Sequence, residues 1–138
     1  MSADTDASHG LPLPLPAGKH DLLAAQAIVA AGYPAVQAQL PALLTWMQDI
    51  NWPVARVLAP FLASIGKPLA PPLAQVFESN DAIWTCNVLT YLVSACPPLA
   101  IALEPQLSRL AARPTQAERD EGVDDIARQI LATLPARR

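Results

Sequence analysis

Charge, aromatic rings, cysteine and glycine are all scarce in this sequence of 138 residues. Charged residues make up 15% against 52% hydrophobic, so most of the chain carries enough apolar surface to fold. The net charge is −3 and no Lys/Arg cluster appears. The basic stripe of a nucleic-acid binder is therefore missing, and no nucleic-acid partner is expected. The two cysteines, Cys86 and Cys96, fall on one expected helix, about 15 Å apart along its axis. That is too far for a disulfide, and both read as small apolar residues in a reducing compartment. The five glycines form no phosphate-cradling loop, and there is no CxxC, HExxH or GxSxG. His9 sits in a polar tail and His20 beside the first helix. No catalytic residue, metal site or cofactor is expected. Met1–Gly10 lacks a basic segment followed by an apolar run, and Pro, Asn or Gln interrupts every apolar stretch before the ~20 residues that span a bilayer. A cytoplasmic protein with no membrane contact is the expectation.

Alanine, leucine and proline are abundant, with 15 prolines in all. Alanine and leucine suit closely packed helices, and so many prolines suit many short helices that begin at them. One helical domain is expected over 19–135, preceded by a disordered or extended tail over 1–18. Within the tail, Leu11–Pro16 reads LPLPLP, which forbids a helix and favours an extended strip. It reads as a strap along the body or as free chain, ahead of a docking peptide for a proline-reading domain. The short basic end Ala136-Arg137-Arg138 reads as solvated.

The first expected helix is Asp21–Ala31, where Leu22, Leu23, Gln26, Ala27 and Ala30 fit helical spacing and Gly32 terminates. A repeat follows. Pro41, Pro71 and Pro105 each open an apolar helical stretch, and ten residues after each comes a capping residue, Asn51, Asp81 or Thr115. Leu43, Trp46 and Met47 correspond to Leu73, Val76 and Phe77, then to Leu107, Leu110 and Ala111. Each unit is a short helix A, a tight turn and a longer helix B. The second helix B, with Trp84, Val88, Leu89, Tyr91, Leu92 and Ala95, is apolar nearly all round and is expected to be the most buried element. The last carries a clean stripe of Val123, Ile126, Ala127, Ile130, Leu131 and Leu134, as a terminal cap of a stack requires. Thr115 and Glu118 form a capping-box pattern. Pro60 falls inside the first helix B and predicts a kink. Pro97-Pro98 predicts a break, followed by an extra turn over Leu99–Leu103.

Units with a Pro opening helix A, an Asp in the turn and Val/Arg early in helix B resemble HEAT repeats, here through Pro41, Asp49, Val54 and Arg56. Two strings, LPALLTWMQDINWPVA over Leu40–Ala55 and PTQAERDEGVDDIARQIL over Pro114–Leu131, resemble the signature blocks of a bacterial family of small all-helical proteins known as a domain of unknown function. Lys19, Gly32-Tyr33-Pro34 and Trp84 fit its pattern too, so the likeness spans about Lys19 to Leu131. It implies an all-α, short right-handed α-solenoid of HEAT-like helix pairs, and it implies no activity.

The densest candidate cluster is Asp49-Ile50-Asn51-Trp52-Pro53. A carboxylate, an amide and an indole at one rim are able to grip a partner, and Trp is enriched at binding hot spots. Each also has a structural use, with Asn51 as cap, Asp49 accepting from backbone or Arg56, and Trp52 packing between units. Trp46 reads as core, and Trp84 as packing against the neighbouring unit. The run Glu118–Asp125, with five carboxylates, reads as a solvated helix N-terminus favoured by the macrodipole, ahead of a cation site. The function expected is non-enzymatic binding of a protein partner through Asp49, Trp52, Arg56, Trp84, Thr85 and Asn87, the last two and Arg56 as exposed positions of the B helices. An immunity- or antitoxin-like protein is one concrete form. The alternative is a small enzyme or small-molecule binder with a carboxylate and tryptophan pocket around Asp49, Trp52 and Trp84.

Overall fold

The computed structural model describes residues 13–135. The tail Met1–Gly10, the first two residues of the LPLPLP strip and the basic end Ala136-Arg137-Arg138 lie outside the described residues. The protein is all-α. Among the described residues there are nine α-helices and no strands.

In chain order these are α1 (Leu22–Ala31), α2 (Leu40–Leu44), α3 (Pro53–Ile65), α4 (Ala70–Phe77), α5 (Ala82–Val88), α6 (Pro97–Ala102), α7 (Glu104–Ala112), α8 (Gln116–Asp120) and α9 (Val123–Thr133). Helix α2 tightens into a 3₁₀ turn at Thr45–Gln48, and α5 widens into a π turn at Leu89–Val93. The prolines explain the short helices. Pro41, Pro71 and Pro105 sit in the first turns of α2, α4 and α7, and Pro53 and Pro97 open α3 and α6. A missing N–H costs nothing there, because the first turn does not use it. For the same reason Pro97-Pro98 starts α6 instead of breaking the chain ahead of Leu99. Pro60 stands inside α3 on its exposed side, so the hydrogen bond it removes faces water and the helix continues to Ile65.

Three caps are formed by side chains. Asp21 accepts from the Ala24 N–H at 3.3 Å, and Asp81 accepts from the Trp84 N–H at 3.0 Å. Thr115 and Glu118 close a reciprocal capping box. Asn51 does not cap α3, as its spacing had predicted. Trp52 occupies the cap position and no side chain bonds the first turn. The first orphan N–H, that of Val54, instead donates to the Lys19 carbonyl at 3.0 Å. The expected last helix B is two helices. Gly122, at φ 76, takes a left-handed turn that separates α8 from α9. Cys86 and Cys96 do not share a helix. The first lies in α5 and the second just ahead of α6, both half-buried with free thiols.

The core is a single apolar cluster drawn from every helix except α8. Its largest fully buried members include Leu43, Leu44 and Met47 around α2, Leu58 and Leu62 of α3, Leu73 of α4, and Leu89 and Leu92 of the π turn. Burying each such side chain stabilises the fold by about 1.5–3 kcal/mol before entropy is charged. Helix α1 packs on α3, α9 packs on α7, and the π turn touches both α3 and α9. In α5 and its extension the inward residues are Thr85, Val88, Leu89, Leu92 and Val93, whereas Tyr91 and Ala95 face out.

The described part of the LPLPLP strip is held against the body at both ends, by the buried Pro16 and by Leu13. The Gln39 amide accepts from the Leu13 N–H at 3.3 Å and donates to the Leu13 carbonyl at 2.6 Å. Leu13 packs against the core beside it. Among the described residues no single helix is long and apolar enough to cross a membrane. One pair, Pro53–Ile65 with Lys67–Phe77, passes on length and composition together but is bent by 111°.

Candidate functional site

The rim between α2 and α3 is built by one short turn. The 3₁₀ turn ends at Asp49, which adopts an extended conformation. Its carboxylate then accepts from the Asn51 N–H at 2.9 Å, and its carbonyl accepts from the Trp52 N–H at 3.2 Å. These two bonds reverse the chain into α3. Trp52 lays its ring edge-on to Trp46, with centroids 5.7 Å apart and planes at 73°. Such aromatic pairs contribute about 0.5–1.5 kcal/mol beyond area burial. Arg56, one turn into α3, is exposed, and its guanidinium donates to the Asn51 side-chain oxygen at 3.5 Å. It does not reach Asp49.

Helix α5 supplies the other three expected site residues, and the structure spends all three on helix contacts. The Trp84 indole N–H donates to the Leu44 carbonyl at 2.8 Å. The Asn87 amide donates to the carbonyls of Met47 and Gln48 at 2.8 and 3.3 Å. These carbonyls lie at the end of α2 and in its 3₁₀ turn, where the helix's own bonding runs out. Thr85 was expected to be exposed and is buried, at 1%. Asn87 was expected to be exposed and is half-buried. Thr85 lies three and four residues before Val88 and Leu89 and shares their inward face, while Asn87 is turned toward the end of α2. Asp49, Trp52 and Trp84 thus each hold a piece of the fold.

What the rim leaves open is a groove of about 340 Å³ lined by Ile50, Asn51, Arg56, Ala59, Pro60 and Tyr91. Neither Asp49, Trp52 nor Trp84 lines it. Of the six expected site residues, only Arg56 does.

The acidic run is the second departure from expectation. Glu118 is 6% exposed, and its carboxylate accepts from Arg109 at 2.6 Å and from the Thr115 N–H at 2.9 Å. Arg109 also donates to the Phe77 carbonyl at 3.4 Å, so one ion pair joins α4, α7 and α8. Asp124 is buried too and pairs with Arg128 at 3.0 Å. Arg128 in turn bonds Asp125 at 2.5 Å and the Ala111 carbonyl at 3.0 Å. Burial pushes the Asp124 carboxyl up, but the Arg128 hydrogen bond and charge, with backbone N–H groups, outweigh it. The net effect holds the carboxyl below its ordinary value. Arg109 escaped the reading of the sequence because its partner lies nine residues away on another helix. No group of three or more His, Cys, Asp or Glu side chains stands ready for a metal among the described residues.

The third departure is on α1. The stripe that fits helical spacing, Leu22, Leu23, Gln26, Ala27 and Ala30, faces out. Ala25 and Ile28 face in. Leu23 is 81% exposed, and Leu22 and Val29 are exposed as well. No charged residue occurs from Leu22 to Ala31.

The class these features define is an all-α protein whose polar rim serves mainly to join helices. The chain belongs to the family described as a domain of unknown function, DUF5071, whose model matches residues 14–131. No curated protein matches it.

Proposed function

We propose that this chain is a non-enzymatic protein-binding module, arranged as a short HEAT-like α-solenoid, that takes an apolar protein surface on the outer face of α1. The observation that carries the reading is the uncharged outer face of that helix, with Leu23 at 81% exposure. Soluble helices keep charge on the face turned to water, and an apolar face without it marks an interaction surface. The alanines among its exposed residues leave the helix backbone near the surface, so that a partner helix approaches closely.

The test uses the tagged full chain as wild type, as Leu23→Glu and as the α9 control Gln129→Glu. Wild type and control are expected to retain one stoichiometric protein from the native host, and Leu23→Glu to lose it with an unchanged melting curve. Equal retention by Leu23→Glu refutes the reading. So does a purified protein that carries a small molecule and no partner.

A further inference from the structure

Three arginines illustrate the choice this fold makes with guanidinium groups. Arg109 and Arg128 are each paired with carboxylates of the chain itself. Arg56 forms no ion pair among the described residues, and its one hydrogen bond, 3.5 Å to the Asn51 oxygen, is long for a charged donor. The guanidinium therefore keeps open donors where Arg56 lines the rim groove. Three further features of that groove complete a pattern. The Tyr91 hydroxyl, on the π turn that forms the opposite wall, makes no hydrogen bond among the described residues. Pro60 has no N–H to give the Arg56 carbonyl four residues earlier, which leaves a main-chain acceptor on the exposed side of α3. Ile50, Ala59 and Pro60 supply an apolar lining.

We infer that this groove binds the free C-terminus of a protein partner whose last residue is apolar. The guanidinium of Arg56 takes the α-carboxylate through its planar fork, as carboxylates prefer. The Tyr91 hydroxyl and the Asn51 amide add donors. The Arg56 carbonyl accepts the N–H of the terminal residue, and that residue's side chain lies on Ile50, Ala59 and Pro60. A single cation suits a monoanionic carboxylate better than a phosphate dianion. The surface lies on α3 and the π turn, and its test does not depend on the α1 face.

The test is an amide chemical-shift titration of the full chain with a set of short peptides ending in Leu, Ile, Val or Phe. Each is supplied as free acid and as C-terminal amide, with N-acetyl-leucine and inorganic phosphate as further probes. The free acids are expected to shift the amides around Asn51, Arg56 and Tyr91, with at least one binding at about 1 mM or tighter. The amidated forms are expected to bind at least tenfold more weakly. Arg56→Gln should abolish the response and Arg56→Lys restore part of it, since a lysine supplies charge without the fork. Arg56 is exposed, so both variants should melt as wild type does. Leu23→Glu should bind the peptides unchanged. The inference fails if acid and amide bind alike, if Arg56→Gln binds as wild type does, or if no peptide binds at that concentration. It also fails if N-acetyl-leucine or phosphate binds as tightly as the best peptide, which would make this a small-anion site.

Discussion

The first helix and the last solve the same packing problem with opposite surfaces. Both press a narrow apolar stripe inward: Ala25 and Ile28 of α1 against α3, and Val123, Ala127 and Ile130 of α9 against α7. Outward they differ. Helix α9 presents Asp125, Arg128 and Gln129, ties Arg128 to two carboxylates, and is preceded by the buried Arg109–Glu118 pair. Helix α1 presents leucine, valine and alanine with one uncharged polar residue, Gln26, and its electrostatic device is the Asp21 cap. The outward face of α1 lacks the charge that α9 carries, and that contrast supports the proposed binding reading.

The largest expected effect tests whether α8 and α9 depend on their charges. Arg109→Ala leaves Glu118 buried without its partner, and losing one partner of a buried pair costs about 3–5 kcal/mol. Because the Arg109 side chain is 28% exposed, the lower end of that range is expected. Urea unfolding measures it. A loss under about 1 kcal/mol would mean that the pair is solvated and that the two helices differ less than their geometry shows.

A second pair of variants asks whether the inward faces are equivalent. Ile28→Ala and Ile130→Ala each remove a buried isoleucine and should each cost about 2–4 kcal/mol in the same assay. Near-equal values place the whole difference between the helices on their outer faces. A much smaller cost for Ile28→Ala would show that α1 is loosely docked, and its exposed leucines would then reflect poor packing. Smaller still is the effect of Leu23→Glu on the isolated chain, expected within about 0.5 kcal/mol of wild type. A large loss would mean that Leu23 packs in solution, and the α1 surface would lose its case.

The residues that local rules govern were legible in the sequence. Prolines at helix starts, the Asp81 cap and the Thr115–Glu118 box depend on neighbours within one turn, and they stand where spacing put them. Whatever depends on rotation of a helix about its axis was not legible. A stripe of Leu22, Leu23, Gln26, Ala27 and Ala30 has the right period but says nothing about which side meets α3. Thr85 was misplaced in the same way, because it lies three and four residues before Val88 and Leu89 and shares the face they turn inward. Asn51 failed as a cap for another reason. Pro53 has no N–H that needs an acceptor, and the next one, that of Val54, is taken by the distant Lys19 carbonyl, so no acceptor is left for Asn51 to supply. Of the rim cluster, Asp49 and Trp52 proved to be turn and packing residues, and only the Arg56 side was left facing a groove. Tyr91, which completes that groove, comes from a helix whose register no local rule fixes.

The smallest expected effect is also the one most specific to the comparison. Helix α1 has no titratable group between Leu22 and Ala31, whereas α9 holds Asp124 against Arg128. A carboxyl held below its ordinary value in the folded protein binds its proton less readily than in the unfolded chain. Its stabilising contribution is complete above the unfolded value, about 3.9, and is lost as pH falls through the lower folded value. Hydrogen exchange should therefore show the α9 amides losing protection on the acid side of about pH 4, beyond any loss shared with α1. Asp124→Asn removes the titrating group, so in that variant the two helices should lose protection in parallel as the pH is lowered. If α9 still loses protection ahead of α1 in Asp124→Asn, the acid-labile group is another one.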